Sequence, residues 1–373
     1  MQYTEYELGE LLPFEQPTAY ILKSTDYSDA CATPVLTAGK SFILGKTNET
    51  DGIFDQLPVI IFDDFTTATQ FVNFRFKVKS SAMKILHINT DLVIPKYIFY
   101  RLQIIQFDHS THKRYWIQSY SKIKVLIPPL DEQLRIVARI EELFSELDKA
   151  VDTLKTTKEQ LTVYRRTVLK DAFSDFEKKD SIRNLTMVVT SGSRGWAKYY
   201  SNSGALFVRI GNLTHSGIDI DFRDIQHITP PDNAEGVRTR LQPNDVLVSI
   251  TADLGSIGFV SEKVEEAYIN QHIALVRFQN PVQGRFMAWY LRSEYGQKDL
   301  LKNKRGGVKL GLGLDDIRDT PVPIVDDVTA KETVDKIEEQ LSVCNSIEKT
   351  VDTALTQADA MRQSILKQMF NIL

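Results

Sequence analysis

The sequence predicts a mixed α/β (α+β) protein. Two globular, strand-rich domains alternate with two long helices that pair as an antiparallel coiled coil, in a pseudo-twofold internal repeat. Three observations predict it: the same helical text occurs twice, each copy carries a heptad, and each copy follows a strand-rich stretch of similar length. The expected segments are 1–126 (first domain), 127–173 (first helical spacer), 174–321 (second domain) and 322–373 (second helical spacer).

The repeat governs the rest, because self-similarity at a fixed spacing constrains architecture before any single residue does. Arg139-Ile-Glu-Glu-Leu-Phe-Ser145 matches Lys336-Ile-Glu-Glu-Gln-Leu-Ser342, and Arg165-Arg-Thr-Val-Leu-Lys-Asp-Ala-Phe173 matches Arg362-Gln-Ser-Ile-Leu-Lys-Gln-Met-Phe370, both at an offset of 197. Upstream, Val125-Leu-Ile-Pro-Pro-Leu130 matches Thr320-Pro-Val-Pro-Ile-Val325 at an offset of 195.

In the first copy Ile140, Leu147, Leu154, Leu161 and Val168 recur every seven residues. Val137, Phe144 and Val151 fill the companion positions, continued by Lys158 and Arg165. In the second copy Ile337, Cys344, Val351, Ala358 and Ile365 recur beside Val334, Leu341, Glu348, Leu355, Arg362 and Met369. Alternating steps of three and four lay one apolar seam along each helix. A lone helix leaves that seam in water, and the simplest partner is the other copy. Asp131, after the Pro-Pro break, is the expected N-cap of the first helix, and Asp326 or Asp327 that of the second. Residues 131–173 as one helix span about 64 Å. Lys158 and Glu348 interrupt the seam near the helix middles, where an antiparallel pair brings them face to face and fixes register. Arg165 and Arg362 share one seam position; they either cap the seam or meet a partner. Leu143, Leu169, Leu341 and Leu366 are expected on outer faces as partner contacts.

The domains between the helices read as strands and turns. Pro58–Phe62 is a buried-strand run, and Phe74–Lys79 alternates, which puts Phe74, Phe76 and Val78 on one face and Arg75, Lys77 and Lys79 on the other. In the second domain Leu206–Ile210, Asp245–Ile250, Ile257–Val260 and Ile273–Phe278 are strand candidates, with Gly255 and Gly258 marking a turn. Ser174–Arg183 reads as a polar linker.

Composition is that of an ordinary globular chain: 373 residues, 42% hydrophobic, 25% charged and 10% aromatic. The only cysteines, Cys31 and Cys344, are far apart, which excludes a disulfide framework or a cysteine-rich zinc site and fits a reducing, cytoplasmic setting. Met1–Leu12 is mixed and acidic, so no secretory leader is expected, and no apolar run is long enough for a membrane span. Net charge is −4, but segments 131–160 and 326–359 carry −3 and −6, leaving +5 on the rest. Acidic helices thus mask a basic remainder, and it is the local patch that steers a polyanion.

Three basic clusters carry candidate DNA contacts: His112-Lys-Arg-Tyr-Trp116, Ser191-Gly-Ser-Arg-Gly-Trp-Ala-Lys198 and Lys302-Asn-Lys-Arg-Gly-Gly-Val-Lys309. Basic groups answer phosphates, while amides, hydroxyls and guanidinium groups read base edges. The residues singled out are Lys113, Arg114, Tyr115 and Trp116; Ser191, Arg194, Trp196 and Lys198; and Lys304, Arg305 and Lys309. Arg75, Lys77 and Lys79 join them from the alternating strand, and Thr66, Thr67, Arg209 and Asn212 from loop position. For any one of them, a solvated charge or a core aromatic is the competing reading.

The arrangement resembles the specificity (S) subunits of type I restriction–modification systems across nearly the whole chain. Ile127-Pro-Pro-Leu-Asp-Glu-Gln133 is similar to the entry to that family's central conserved region, and Val322-Pro-Ile-Val325 is its degenerate copy. Pro58–Met83 and Leu241–Ser249 are similar to its target-recognition domains. The resemblance implies a non-catalytic subunit whose two domains each read half of a split sequence in double-stranded DNA. It also implies docking of two methyltransferase (M) subunits, with restriction (R) subunits joining them, and S-adenosylmethionine bound by the M subunits rather than by this chain. Leu130, Glu132 and Gln133 are then partner-binding candidates. The second copy departs from the signature, so the resemblance does not imply identical docking at both repeats.

Enzyme signatures do not appear. There is no Asn-Pro-Pro-Tyr-like motif of an adenine methyltransferase and no Gly-x-x-x-x-Gly-Lys phosphate loop. Asp253-Leu-Gly-Ser-Ile-Gly258 reads as a hairpin turn rather than a cofactor loop. Pro231-Asp232 lacks an acid-x-Lys partner, and His109 and His112 lack a ligand frame, so no metal is expected. The rival readings are the specificity subunit of a system whose partner fuses methylation and cleavage, a stand-alone nuclease, and a purely structural coiled-coil protein.

Overall fold

The computed structural model describes residues 3–24, 27–37, 41–108, 114–192, 194–232, 234–302 and 311–371. Two compact units emerge, Met1–Leu154 with Thr353–Leu373, and Lys155–Asp352. Each unit combines one strand-rich head with part of both long helices. An apolar helix seam finds partners in a head as well as in the other helix.

The first head contains β1 (Thr4–Glu7), α1 (Leu8–Leu11), β2 (Phe14–Glu15), β3 (Thr33–Leu36), β4 (Ile43–Thr47), β5 (Val59–Asp63), β6 (Thr69–Val72), β7 (Lys77–Val78), β8 (Met83–His87), α2 (Pro95–Leu102) and β9 (Lys124–Ile127). The long helix α3 (Leu130–Phe173) follows. The sheet β2-β8-β5-β6 is antiparallel; a smaller sheet runs β4-β3-β7, with β3 and β7 parallel; β1 pairs with β9. All five residues of β5 are buried, as expected of an apolar run covered on both faces. Ile60 and Phe62 enter a core with Tyr97 and Ile98 of α2, whereas Val59 and Ile61 enter a second core with Leu36 and Val78 of the smaller sheet.

The second head contains β10 (Lys179–Ser181), α4 (Ile182–Leu185), β11 (Thr186–Ser191), β12 (Tyr200–Ser201), β13 (Ala205–Val208), β14 (Gln226–Ile228), α5 (Ala234–Thr239), β15 (Val246–Ser249), β16 (Ile257–Phe259), β17 (Ala267–Ile269), β18 (Ile273–Phe278), α6 (Gly284–Arg292), α7 (Glu294–Leu300), α8 (Leu314–Arg318) and β19 (Pro321–Pro323), and then α9 (Asp327–Asn371). Its sheets repeat the first head's plan. The antiparallel sheet β11-β18-β15-β16 matches β2-β8-β5-β6, and β12-β14-β13-β17, with β13 and β17 parallel, matches β4-β3-β7 with one strand added. The internal repeat therefore extends into the heads, where the sequences show none.

Three expectations are corrected. Only Lys77–Val78 of the alternating stretch is strand, and Lys77 is buried, its ammonium 3.0 Å from Glu49 and donating to the Asp51 carbonyl at 2.6 Å. The alternation fails because Glu49 gives the inward lysine a counter-charge. Ser174–Arg183 is more than a linker, since β10 within it pairs antiparallel with β19. Gly258 lies in β16 rather than in the turn; a Cβ there would meet Leu213 Cδ2 at 2.5 Å. Gly255 does take the left-handed turn conformation, at φ +82°.

In each unit the helices run antiparallel. In the first, Ile136, Val137 and Ile140 of α3 share a core with Leu366 and Phe370 of α9, and Arg362 pairs with Asp148 and lies over the Phe144 ring. In the second, Val168 shares a core with Val334, Ile337 and Leu341. Glu348 is bonded by Arg165 at 2.7 Å, and Lys158 turns to Asp352 at 2.7 Å. The expected Lys158–Glu348 pair is thus replaced by two staggered ones. Asp326 caps α9, accepting from the Thr329 N–H at 2.9 Å and its hydroxyl at 2.8 Å, whereas Asp131 falls inside the first turn of α3, one residue after its start.

Each long helix is clamped to a head by equivalent residues. Glu141 of α3 pairs with Lys96, the second residue of α2; Glu338 of α9 pairs with Arg285, the second residue of α6, and accepts from Trp289 Nε1 at 2.9 Å. Phe370 closes α9 against Tyr97 (ring centroids 5.3 Å apart), and its counterpart Phe173 closes α3 against Phe286 (5.4 Å).

Candidate nucleic-acid interface

In the first head the β5–β6 turn is built by two adjacent aspartates. Asp63 accepts from the Phe65 N–H at 2.9 Å and the Thr66 hydroxyl at 2.7 Å, and Thr67 closes the turn at φ 57°. Asp64 faces inward: its carboxylate lies 3.2 Å from Lys84 Nζ and accepts from the Trp116 N–H at 2.8 Å, while its carbonyl accepts from the Tyr115 N–H at 2.9 Å. This anchor stitches the turn to the segment beginning at Arg114. Phe65, Thr66 and Arg114 remain exposed. Tyr115 and Trp116 are corrected to core residues, because Trp116 packs on Phe62 and Tyr120.

Other first-head candidates separate by burial. Arg75 is exposed, 4.0 Å from Asp55. Lys79 is exposed and sits over the Tyr27 ring. Lys77 is enclosed and presents nothing outward. Lys113, like His109 and His112, lies outside the described residues.

In the second head Ser191 ends β11, and its carbonyl accepts from Arg238 at 2.7 Å. The chain then turns through Arg194 and Gly195 (φ +80°), both exposed. Trp196 is corrected from a contact to a core aromatic, stacked on Phe207 at 5.5 Å, and Lys198 is exposed over the Tyr199 ring. Lys304, Arg305 and Lys309 lie outside the described residues.

Arg209 lines a cleft of about 600 Å³ with Gly211, Asp221, Arg223 and Asn270. Asn212 is corrected to a loop brace: its oxygen accepts from the Arg209 N–H at 2.8 Å, and its amide donates to the Asp221 and Asp224 carbonyls. Its polar atoms are thereby committed inward. Arg223 is the cation missed from sequence; its side chain is 90% exposed and grips Asp221, holding that carboxyl down at about 2. The run Asp221-Phe222-Arg223-Asp224 is net acidic, which hid the arginine.

The partner candidates divide similarly. Leu130 is exposed and Glu132 accepts from Arg135 at 2.9 Å. Gln133 is wholly buried: it accepts from the Ile94 N–H at 2.8 Å and donates to the Leu92 and Pro128 carbonyls at 3.0 and 2.9 Å, so it ties α3 to the start of α2. Leu143 and Leu169 are half-buried, while Leu341 and Leu366 are core residues, a correction to their expected outward placement. The seam widens at the helix ends because each helix there also packs on a head. Apolar residues that do face outward from the long helices include Leu134, Val163, Val343 and Met361. Their signal was present in the sequence as apolar residues off the heptad.

His215, Asp253 and Ser256 form a polar cluster. Asp253 approaches His215 Nε2 at 2.7 Å and Ser256 Oγ lies 3.1 Å from the same nitrogen. A hydrolytic relay needs the acid and the hydroxyl on opposite ring nitrogens, so this cluster is a loop brace. Among the described residues no group of three or more His, Cys, Asp or Glu side chains is arranged to hold a metal ion, and no helix is long and apolar enough to cross a membrane.

Two strand-rich heads of one plan, alternating with two helices that pair antiparallel, define a two-headed scaffold protein. In sequence and in fold the chain matches the specificity subunits of type I restriction–modification systems, as its motifs implied. It is 48% identical over 147 residues to the EcoR124I/EcoR124II specificity subunit of Escherichia coli, covering 38% of this chain and 36% of that one. It is 23% identical over 277 residues to the Escherichia coli EcoBI specificity subunit (65% and 57%). The chain thus spans between about a third and three-fifths of the length of these curated relatives. The fold matches a chain from a type I restriction–modification system solved for its complex assembly and conformational transition (TM-score 0.71, 16% identity, 99% of this chain and 97% of that one). It also matches the HsdS subunit from Thermoanaerobacter tengcongensis (TM-score 0.53, 15% identity, 99% and 96%). No family model matches the chain.

Proposed function

We propose that this chain is the DNA-sequence-recognition subunit of a type I restriction–modification complex and has no catalytic site of its own. The observation that carries the reading is the doubled architecture: two heads of one plan but different sequence, each held by equivalent clamps. Two different heads on one scaffold suit a bipartite, asymmetric target, with half-sites about 34 Å apart, one turn of DNA. In the first head Thr66 and Arg114 meet DNA; in the second, Arg194, Lys198 and the Arg209–Arg223 cleft do. Guanidinium groups next to exposed turns suit both phosphate and guanine edges.

A pseudo-twofold scaffold also offers two similar surfaces to two copies of one partner. The partners are methyltransferase subunits that bring S-adenosylmethionine, joined by restriction subunits, acting in the cytoplasm. Leu130, Leu134, Val163, Val343 and Met361 supply apolar docking area. Methylome sequencing of a host expressing this chain with its neighbouring methyltransferase tests the reading. A new N6-methyladenine motif, split by a fixed gap and absent without this chain, is expected. No new motif from an assembled, active complex would overturn it.

A further inference from the structure

The second unit contains a cleft of about 1090 Å³ that the recognition surfaces above leave unused. Four arginines line it: Arg165 and Arg166 of α3, and Arg285 and Arg292 of α6. Two of them are committed to carboxylates, Arg165 to Glu348 and Arg285 to Glu338. Arg166, which is exposed, and Arg292, which is half-buried, have no hydrogen-bond or ion-pair partner among the described residues, and Arg292 Nε is buried and unbonded. The remaining lining carboxylates, Asp219 and Glu294, are exposed. The far wall is the loop Thr214–Gly217, which brings two hydroxyls.

The arrangement is unfavourable as it stands. A buried, unbonded guanidinium nitrogen loses its hydration without a replacement partner, which is more costly because the group is charged. Burial lowers the Arg292 pKa, and the like charge of Arg166 lowers it further. The position of Arg292 in the last turn of α6 favours a cation, but that does not account for the orphaned donor or for a second arginine beside it. A dianionic or monoanionic oxygen cluster satisfies both: guanidinium forks match phosphate geometry, and hydroxyls complete the shell.

We propose that this cleft binds a backbone phosphate of DNA through Arg166 and Arg292, a contact that adds affinity but no sequence information. The inference rests on the recognition reading, yet its readout is separate. DNA binding by the assembled complex is measured across salt concentrations, on duplexes with and without the motif found by methylome sequencing. Each phosphate neutralised contributes about 0.9 to the slope of log K against log[salt]. The R166Q/R292Q variant should lose about one unit of slope on both duplexes and keep its motif; R166K/R292K should retain the slope. An unchanged slope in a variant with wild-type melting overturns the proposal. Loss of subunit assembly overturns it too, assigning the cleft to a protein partner. A rise in melting temperature with inorganic phosphate at matched ionic strength, abolished in R166Q/R292Q while the DNA slope is unchanged, assigns it to free phosphate. Wild-type complex that does not distinguish the two duplexes sinks the recognition reading, while the slope difference still decides the cleft.

Discussion

Replacing Lys84 by Met removes the counter-charge from a carboxylate that has almost no access to water. The side chains of Lys84 and Asp64 are 1% and 2% exposed and 3.2 Å apart. With the ammonium gone, the Trp116 N–H is the one remaining donor to the Asp64 carboxylate among the described residues. Breaking a buried pair from one side costs about 3–5 kcal/mol, a factor of roughly 10² to 10³·⁵ in the folding equilibrium. For a unit of 175 residues that corresponds to roughly 6–20 °C in melting temperature. The same aspartate anchors the turn bearing Thr66 and the segment at Arg114, so on the proposed function affinity for target DNA should fall with stability. The full chain is followed by ¹⁹F NMR with fluorotryptophan, because Trp116 is the only tryptophan in its unit. The double variant K84M/D64N, which removes both charges and keeps an acceptor for Trp116, should recover most of the loss. K84M within about 0.5 kcal/mol of wild type, the range of a neutral surface change, or a double variant no more stable than K84M, would refute the reasoning.

Three further outcomes follow from the same contacts. Gln133→Leu strands the Ile94 N–H and two carbonyls and should destabilise the isolated chain by about 1–3 kcal/mol; unchanged melting with weakened assembly would return Gln133 to the partner surface. Phe173→Ala and Phe370→Ala each empty an equivalent aromatic seat and should cost about 3–5 kcal/mol apiece by calorimetry; a large loss from only one of them would contradict the equivalence of the clamps. The His215 hydrogen bond holds Asp253 below the ordinary aspartate range. Its stabilisation is therefore complete above that range and lost as pH falls through the lowered pKa. In His215→Ala the Asp253 carboxyl ¹³C titration should move up to the ordinary range.

The long helices were legible because a heptad is a local pattern: Ile140, Ile337 and Cys344 are buried where the spacing puts them. Register was less legible, since Lys158 and Glu348 sit opposite on a diagram yet reach partners four residues or more away along flexible side chains. The heads were legible only as apolar runs. Their common sheet order rests on which strands pair, and pairing is not written in any one strand. Basic and aromatic clusters misled for a physical reason. A tryptophan next to arginine looks the same in sequence whether it stacks outward or, like Trp116 and Trp196, fills a core beneath an exposed cation. Lys77 and Lys84 invert the usual rule, and only a distant carboxylate, Glu49 or Asp64, explains each.

The distribution of equivalent and inequivalent residues carries its own argument. Positions that hold a helix to a head correspond between the copies: Glu141 with Glu338, Lys96 with Arg285, Phe173 with Phe370. Positions exposed at the head surfaces do not correspond: the Asp63–Thr67 turn with Arg114 in one, the Arg194 turn and the Arg209–Arg223 cleft in the other. The clamps use buried aromatics and paired charges, where a change costs several kcal/mol. The turns use exposed side chains, where substitutions away from special contacts stay within about 0.5 kcal/mol. Stability and the proposed recognition thus draw on different residues, so on that reading loop changes alter what a head reads without loosening the scaffold that carries it.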